Sequence, residues 1–184
     1  MMSLLTKLDS CQLVVIDMQA KLATAMPADA MAAVIKQTQV MLQAAQLLSM
    51  PTLFTEQYPQ GLGHTLPELA ATISPATVIE KTAFSACAEP KFNAKLSRDK
   101  SQVVLLGMEA HICVLQTALD LLANHKQVFV LEDVVISRNP ANKANAIARM
   151  RDAGCVITNT ESVLFECIGN AQHEAFKAIA KLIR

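Results

Sequence analysis

Short apolar, β-branched runs alternate along the chain with longer stretches whose apolar positions recur every three to four residues. The runs are "QLVVID" (12–17), "TLFTE" (52–56), "TVIEK" (77–81), "QVVLLG" (102–107), "QVFVLED" (127–133) and "CVITNT" (155–160), and each reads as a strand. Between the first two, residues 27–50 place Met31, Val34, Thr38, Met41, Ala45 and Leu48 on one helical face. Pro27 suits the first turn of that helix. A loop is expected over 57–67, a short helix around 90–98 and another helix over 111–124. Asn139 is placed to cap a helix that begins at Pro140 and stops at Gly154, and amphipathic sequence runs from there to Arg184.

Strands that are apolar throughout, set between helices, imply a parallel sheet covered on both faces. Right-handed crossovers then favour an α/β, doubly wound fold with six mainly parallel strands in the order 3-2-1-4-5-6. Ligands of such sheets sit outside the carboxyl ends of the strands, at the switch point, here between the first and fourth. Asp17 ends the first run, Lys81 ends the third, and Cys113 follows the fourth by one short turn. Three reactive side chains are therefore expected on one edge of one sheet.

Composition narrows the partners. Apolar residues make up 52% and charged residues 17%, which predicts a folded core, and 1–184 reads as a single domain. Lys plus Arg equals Asp plus Glu at 16 each, so no global field draws the chain to nucleic acid or to an anionic membrane. No apolar stretch nears the ~20 residues that span a bilayer. "MMSLLTKLDSCQLVVID" lacks the pattern of a secretory signal. The five cysteines (Cys11, Cys87, Cys113, Cys155, Cys167) are odd in number and irregularly spaced. They predict reduced thiols in a cytoplasmic protein, not a disulfide framework or a zinc site. "GLGHTL" (61–66) has Leu66 where a dinucleotide fingerprint needs its last glycine, and no phosphate-loop or serine-elbow motif occurs.

Singly, each corner residue has an ordinary role. Asp17 could cap a helix, Lys81 could be a solvated charge, and Cys113 could be a small core residue. Together they describe acyl transfer. A thiolate at a helix N-terminus is favoured by the dipole and by a nearby ammonium. A carboxylate can take the thiol proton. Backbone N–H groups at the start of that helix can face a developing oxyanion.

"VVIDMQ" (14–19), "EKTAFSAC" (80–87), "GMEAHICVLQTALDL" (107–121) and "VLEDVVISR" (130–138) together resemble the isochorismatase-like cysteine hydrolase superfamily, over residues 11 to 168. "FTEQYPQGLGHT" is similar to its metal-free, small-protein branch. The resemblance implies Asp17, Lys81 and Cys113 as a catalytic triad. It also implies a cis peptide between Met108 and Glu109, and an oxyanion hole from the N–H groups of Glu109 and Cys113. The nicotinamidases of that superfamily hold a metal through an Asp-x-His and a second His. Here the matching stretch is Glu56, Gln57 and Tyr58, with His64 further along, so no metal and no cofactor is expected. Isochorismate hydrolases need no nucleophilic cysteine, so Cys113 points to amide, ester or thioester chemistry.

Glu56, Gln57 and Tyr58 follow the second strand and are candidates for lining a small-molecule pocket. Phe84 could wall that pocket, though an apolar core role is the better expectation. Asp133 is expected to fix local backbone, and the other four cysteines to pack. The apolar helices, together with the resemblance, predict a homo-oligomer. A catalytically idle oligomeric scaffold of the same fold is the alternative to an enzyme.

Overall fold

Every residue of the first strand, β1 (Cys11–Ile16), is buried, because alternate side chains enter two different cores. Leu13 and Val15 face one, Val14 and Ile16 the other. A computed structural model describes residues 4–70 and 73–184; the first three residues of the N-terminal stretch and residues 71–72 lie outside it. The remaining strands are β2 (Thr52–Gln57), β3 (Val78–Lys81), β4 (Gln102–Met108), β5 (Gln127–Ile136) and β6 (Val156–Thr158). They form one sheet in the order β3-β2-β1-β4-β5-β6, with all neighbours parallel.

The helices are α1 (Ala20–Ala23), α2 (Ala28–Leu47), α3 (Pro59–Leu62), α4 (Pro67–Ala70), α5 (Pro90–Lys95), α6 (Leu115–Ala123), α7 (Pro140–Ala153), α8 (Thr160–Ile168) and α9 (Phe176–Leu182). Helices α2, α8 and α9 close one face of the sheet, where Met31, Val34, Met41 and Ala45 meet Val104, Leu106 and Phe129. Helices α5, α6 and α7 close the other, where Phe92, Leu121 and Met150 meet Val103, Leu105 and Val128. The expected face of α2 is buried at all six positions, Met31 to Leu48. Pro27 stands one place outside that helix, as its N-cap. Asn139 caps α7 through the Ala141 N–H, and Gly154 ends it at φ 107°.

Three elements differ from the sequence pattern. Strand β5 runs on to Ile136, because its register against β4 shifts between Leu105 and Gly107. The polar pair Glu132–Asp133 is an exposed interruption within the strand and not its end. Asp133 there accepts the Thr160 N–H at 3.0 Å, so it anchors the start of α8. The stretch 57–67 contains the single turn α3. The helix expected over 111–124 begins as a wide π-turn, Ala110–Val114, that leads into α6.

One glycine is fixed by close approach. Gly107 lies opposite Ile16 in the β1–β4 pair and has φ +127°. A Cβ there would overlap the Ile16 carbonyl oxygen. The two central strands can thus meet tightly just where β1 hands over to Asp17.

Candidate active site

Asp17 leaves β1 with φ 49°, a left-handed conformation that Asp tolerates better than most residues. This turns its carboxylate across the sheet edge toward β2 and β3. Thr55, opposite Ile16 on β2, donates from Oγ1 to Asp17 Oδ1 at 2.6 Å. Lys81, the last residue of β3, brings Nζ to within 2.7 Å of Asp17 Oδ2. Both side chains are completely buried. Oδ2 takes no well-aligned hydrogen bond and meets the ammonium by charge.

The ammonium is surrounded by acceptors. Beyond its ion pair with Asp17, it donates to Gln57 Oε1 at 2.6 Å, to the Phe84 carbonyl at 3.1 Å and to the Ala83 carbonyl at 3.2 Å. A buried ion pair is costly to desolvate unless further hydrogen bonds complete it, and here they do so on the cationic side.

Cys113 lies in the π-turn after β4 and is 6% exposed. Its Sγ stands 4.0 Å from Gln57 Oε1 and lies within the electrostatic reach of Asp17 and Lys81. The sheet edge therefore gathers Asp17, Lys81 and Cys113 at one point, with Gln57 joining the lysine to the thiol. Burial and, after it, the Asp17 charge push the Cys113 thiol up to about 12, against the pull of Lys81. Burial thus opposes the thiolate that a helix dipole and an ammonium alone would favour.

Glu109 follows Met108 through a cis peptide. Its buried carboxylate pairs with Arg138, Nη2 to Oε1 at 2.8 Å, and accepts the Arg138 N–H at 3.3 Å. His111 Nδ1 sits 3.0 Å from Ser137 Oγ and 3.5 Å from Glu109 Oε2. The side chains of Glu109 and His111 thus tie the turn that carries Cys113 to the end of β5.

Glu56 is buried and works locally. It accepts the Thr65 N–H at 2.7 Å, the Thr65 hydroxyl at 2.8 Å and His64 Nδ1 at 2.9 Å. Burial opposes its charge, yet the bonds from His64 and Thr65 hold the carboxyl below its ordinary value, and Glu56 raises His64 in return. Glu56 therefore staples the 57–66 segment. It also borders a groove of about 430 Å³ shared with His64, Ile73, Val78 and Glu80, which is separate from Cys113. Tyr58 is half exposed and bounds a smaller recess, of about 270 Å³, with Gln60, Glu80 and Lys81. Among the described residues, no three His, Cys, Asp or Glu side chains stand together as metal ligands would.

The core role expected for Phe84 is wrong. Its side chain is 55% exposed, because its carbonyl turns inward to Lys81 and the ring is left outside. Two contributors escaped sequence reading. Thr55 is a polar residue inside an apolar run, a signal of a buried partner, but only the register shows that the partner is Asp17. Gln19 is wholly buried and spans the 57–63 segment, accepting the Gln57 N–H at 2.7 Å and donating to the Gln57 carbonyl at 3.0 Å. Its place within "VVIDMQ" was visible; its partners were not.

The chain's residues 11–162 match the model of the isochorismatase domain. It is 45% identical over 147 residues to isochorismatase domain-containing protein 2 of Macaca fascicularis, which covers 78% of this chain and 69% of that one. The structure of the MAR1 ribonuclease from Caenorhabditis elegans is 37% identical, has a TM-score of 0.91 and covers 97% of this chain and 92% of that one. The YcaC gene product from Escherichia coli, described as an octameric hydrolase of unknown specificity, shares the fold with a TM-score of 0.90 at 21% identity. It covers 100% of this chain and 91% of that one.

Proposed function

The chain belongs to the isochorismatase domain family, and from that premise we propose that it is a cysteine hydrolase of a small amide, ester or related carbonyl compound, acting through a thioester without a cofactor. The observation that carries this reading is the fully buried Asp17–Lys81 pair, 2.7 Å apart, against the Cys113 thiol. An ion pair held out of water beside a nucleophile is an expensive arrangement, and proton transfer is a function that needs it.

The steps follow from the geometry. Asp17 accepts the thiol proton on Oδ2, the oxygen with no well-aligned hydrogen bond. Cys113 Sγ bonds to the substrate's carbonyl carbon, and the carbonyl electron pair moves to oxygen. The N–H groups of Glu109 and Cys113 are the donors proposed for that oxyanion. As the carbonyl reforms, the bond to the leaving amine or alcohol breaks, and Asp17 returns the proton to it. Water then attacks the thioester with Asp17 as base, freeing the carboxylic acid and the thiol. The Lys81 ammonium steadies whichever of Asp17 and Cys113 is the anion. Gln57 positions Lys81 and borders the thiol, while Tyr58 and Phe84, both half exposed, are placed to meet a substrate at the rim.

The family likeness includes a protein named a ribonuclease, and RNA is a second substrate class to weigh. Equal numbers of acidic and basic residues give this chain no general attraction for a polyanion, which favours an uncharged or small substrate. We further propose that residues 1–184 form one domain that self-associates. The octameric assembly described for the E. coli neighbour and the exposed Leu4, Leu5, Leu47, Tyr58 and Phe84 support this. Among the described residues no helix is long and apolar enough to cross a membrane. The deciding experiment is a screen of the purified chain and its Cys113→Ala variant against amides, ureides, esters and a single-stranded RNA. Hydrolysis of a small carbonyl compound that vanishes with Cys113 supports the reading. Turnover of any substrate that survives the substitution refutes it, and no turnover at all favours the idle scaffold.

A further inference from the structure

Cys113, Thr117 and Asp120 stand at i, i+4 and i+7 and so share one helical face. The two downstream residues reach the loop that follows β3. Thr117, wholly buried, accepts the Ala86 N–H on Oγ1 at 3.0 Å. Ser85, also buried, donates its hydroxyl to Asp120 Oδ2 at 2.6 Å and accepts the Cys87 N–H at 3.2 Å. The two residues before them, Ala83 and Phe84, give their carbonyls to the Lys81 ammonium. Residues 83–86 are thus gripped from both sides, by Lys81 on one and by the nucleophile's own helix on the other. The Lys81 ammonium pairs with Asp17 and donates to Gln57, whose Oε1 is 4.0 Å from Cys113 Sγ, so the links close into a ring.

The placement of Asp120 is otherwise unfavourable. It lies in the last turn of α6, where the helix end is already negative. A short, charge-assisted bond to a buried hydroxyl gives the carboxylate a reason to be there. We propose that Thr117 and Asp120 are positioning residues of the hydrolytic site, holding through Ala86 and Ser85 the loop that fixes the Lys81 ammonium beside Asp17 and Cys113. The inference rests on the reading of Cys113 as the nucleophile, but its test needs no substrate.

Iodoacetamide labelling of Cys113 in the full chain, followed by peptide mass spectrometry at about pH 9, reports the supply of thiolate. Ser85→Ala and Asp120→Ala remove the bond, whereas Asp120→Asn keeps an acceptor oxygen in place. Loosening the Lys81 cradle withdraws the cation from the thiolate. Cys113 should then label about tenfold more slowly in both alanine variants, the effect of a one-unit rise in its pKa. Asp120→Asn should stay near the rate of the unaltered chain. Unchanged or faster labelling in the alanine variants, with their helical circular dichroism intact, overturns the proposal. If Asp120→Ala does not fold, Ser85→Ala carries the same test. Hydrolysis that survives Cys113→Ala would refute the thioester reading separately, without altering the labelling result.

Discussion

Lys81 and Asp17 meet at 2.7 Å across two strand boundaries, and neither side chain reaches solvent. The pair exists because β3 and β1 flank β2 and end at the same edge, so the last residue of one faces the first residue beyond the other. Removing one partner strands the other as a buried, uncompensated charge. Lys81→Met should therefore lose about 3–5 kcal/mol of stability. Urea unfolding followed by circular dichroism measures this, and a loss below about 1 kcal/mol would mean that water reaches Asp17.

Cys113 and Asp17 should fail as a unit. Cys113→Ser and Asp17→Asn are each expected to cut turnover by about 10³-fold or more. Asparagine also tolerates the left-handed backbone at position 17, so the fold should survive and the loss will be chemical. Steady-state rates on a substrate from the screen, with matched melting curves, test this. A tenfold loss or less would remove Asp17 from the role of base.

The raised thiols set a pH dependence. Cys87 is held up to about 11 by burial and then by the Asp120 charge, Cys155 to about 12 by burial, and Cys113 to about 12 by burial and then by the Asp17 charge. A thiol whose folded pKa exceeds its unfolded one keeps its proton more tightly when folded. The stability this lends is complete below about 9 and is lost as pH climbs toward about 12. Urea midpoints should fall steadily from about pH 9 to pH 11. Labelling of Cys113 should likewise rise about tenfold per pH unit across that range. A labelling plateau near neutrality would show a preformed thiolate and contradict the burial argument.

Much of this was legible in the chain. Six apolar runs with helical spacing between them lead to the sheet order, because parallel strands and right-handed crossovers leave few alternatives. The same logic brought Asp17, Lys81 and Cys113 to one edge. Hydrogen bonds that depend on register or on loop direction were not legible. Thr55 finds Asp17 only because it pairs beside Ile16, and Phe84 faces outward only because its carbonyl serves Lys81. Glu56 reads as a pocket residue from its place at the end of the second apolar run, yet its carboxylate is taken up by His64 and Thr65, eight and nine residues on. Side-chain periodicity says which face a residue occupies, but not which partner an irregular segment will bring to it.

Gly107 links the fold to the site. It pairs with Ile16, one residue before Asp17, at a φ of +127° that L side chains rarely adopt. A methyl group there would overlap the Ile16 carbonyl oxygen, which is backbone and cannot rotate aside. Gly107→Ala must therefore push β4 from β1 or change the local backbone. Both responses displace Asp17 and the turn that begins at Glu109. The clash and the conformational strain together should cost about 2–4 kcal/mol. The variant should also slow turnover more than its residual folded fraction explains, since a 1 Å displacement of reacting groups can cost about 10²-fold. Melting temperature and kcat measured on the same preparation separate the two effects. If Gly107→Ala kept full activity and stability, the close β1–β4 approach would have no part in placing Asp17.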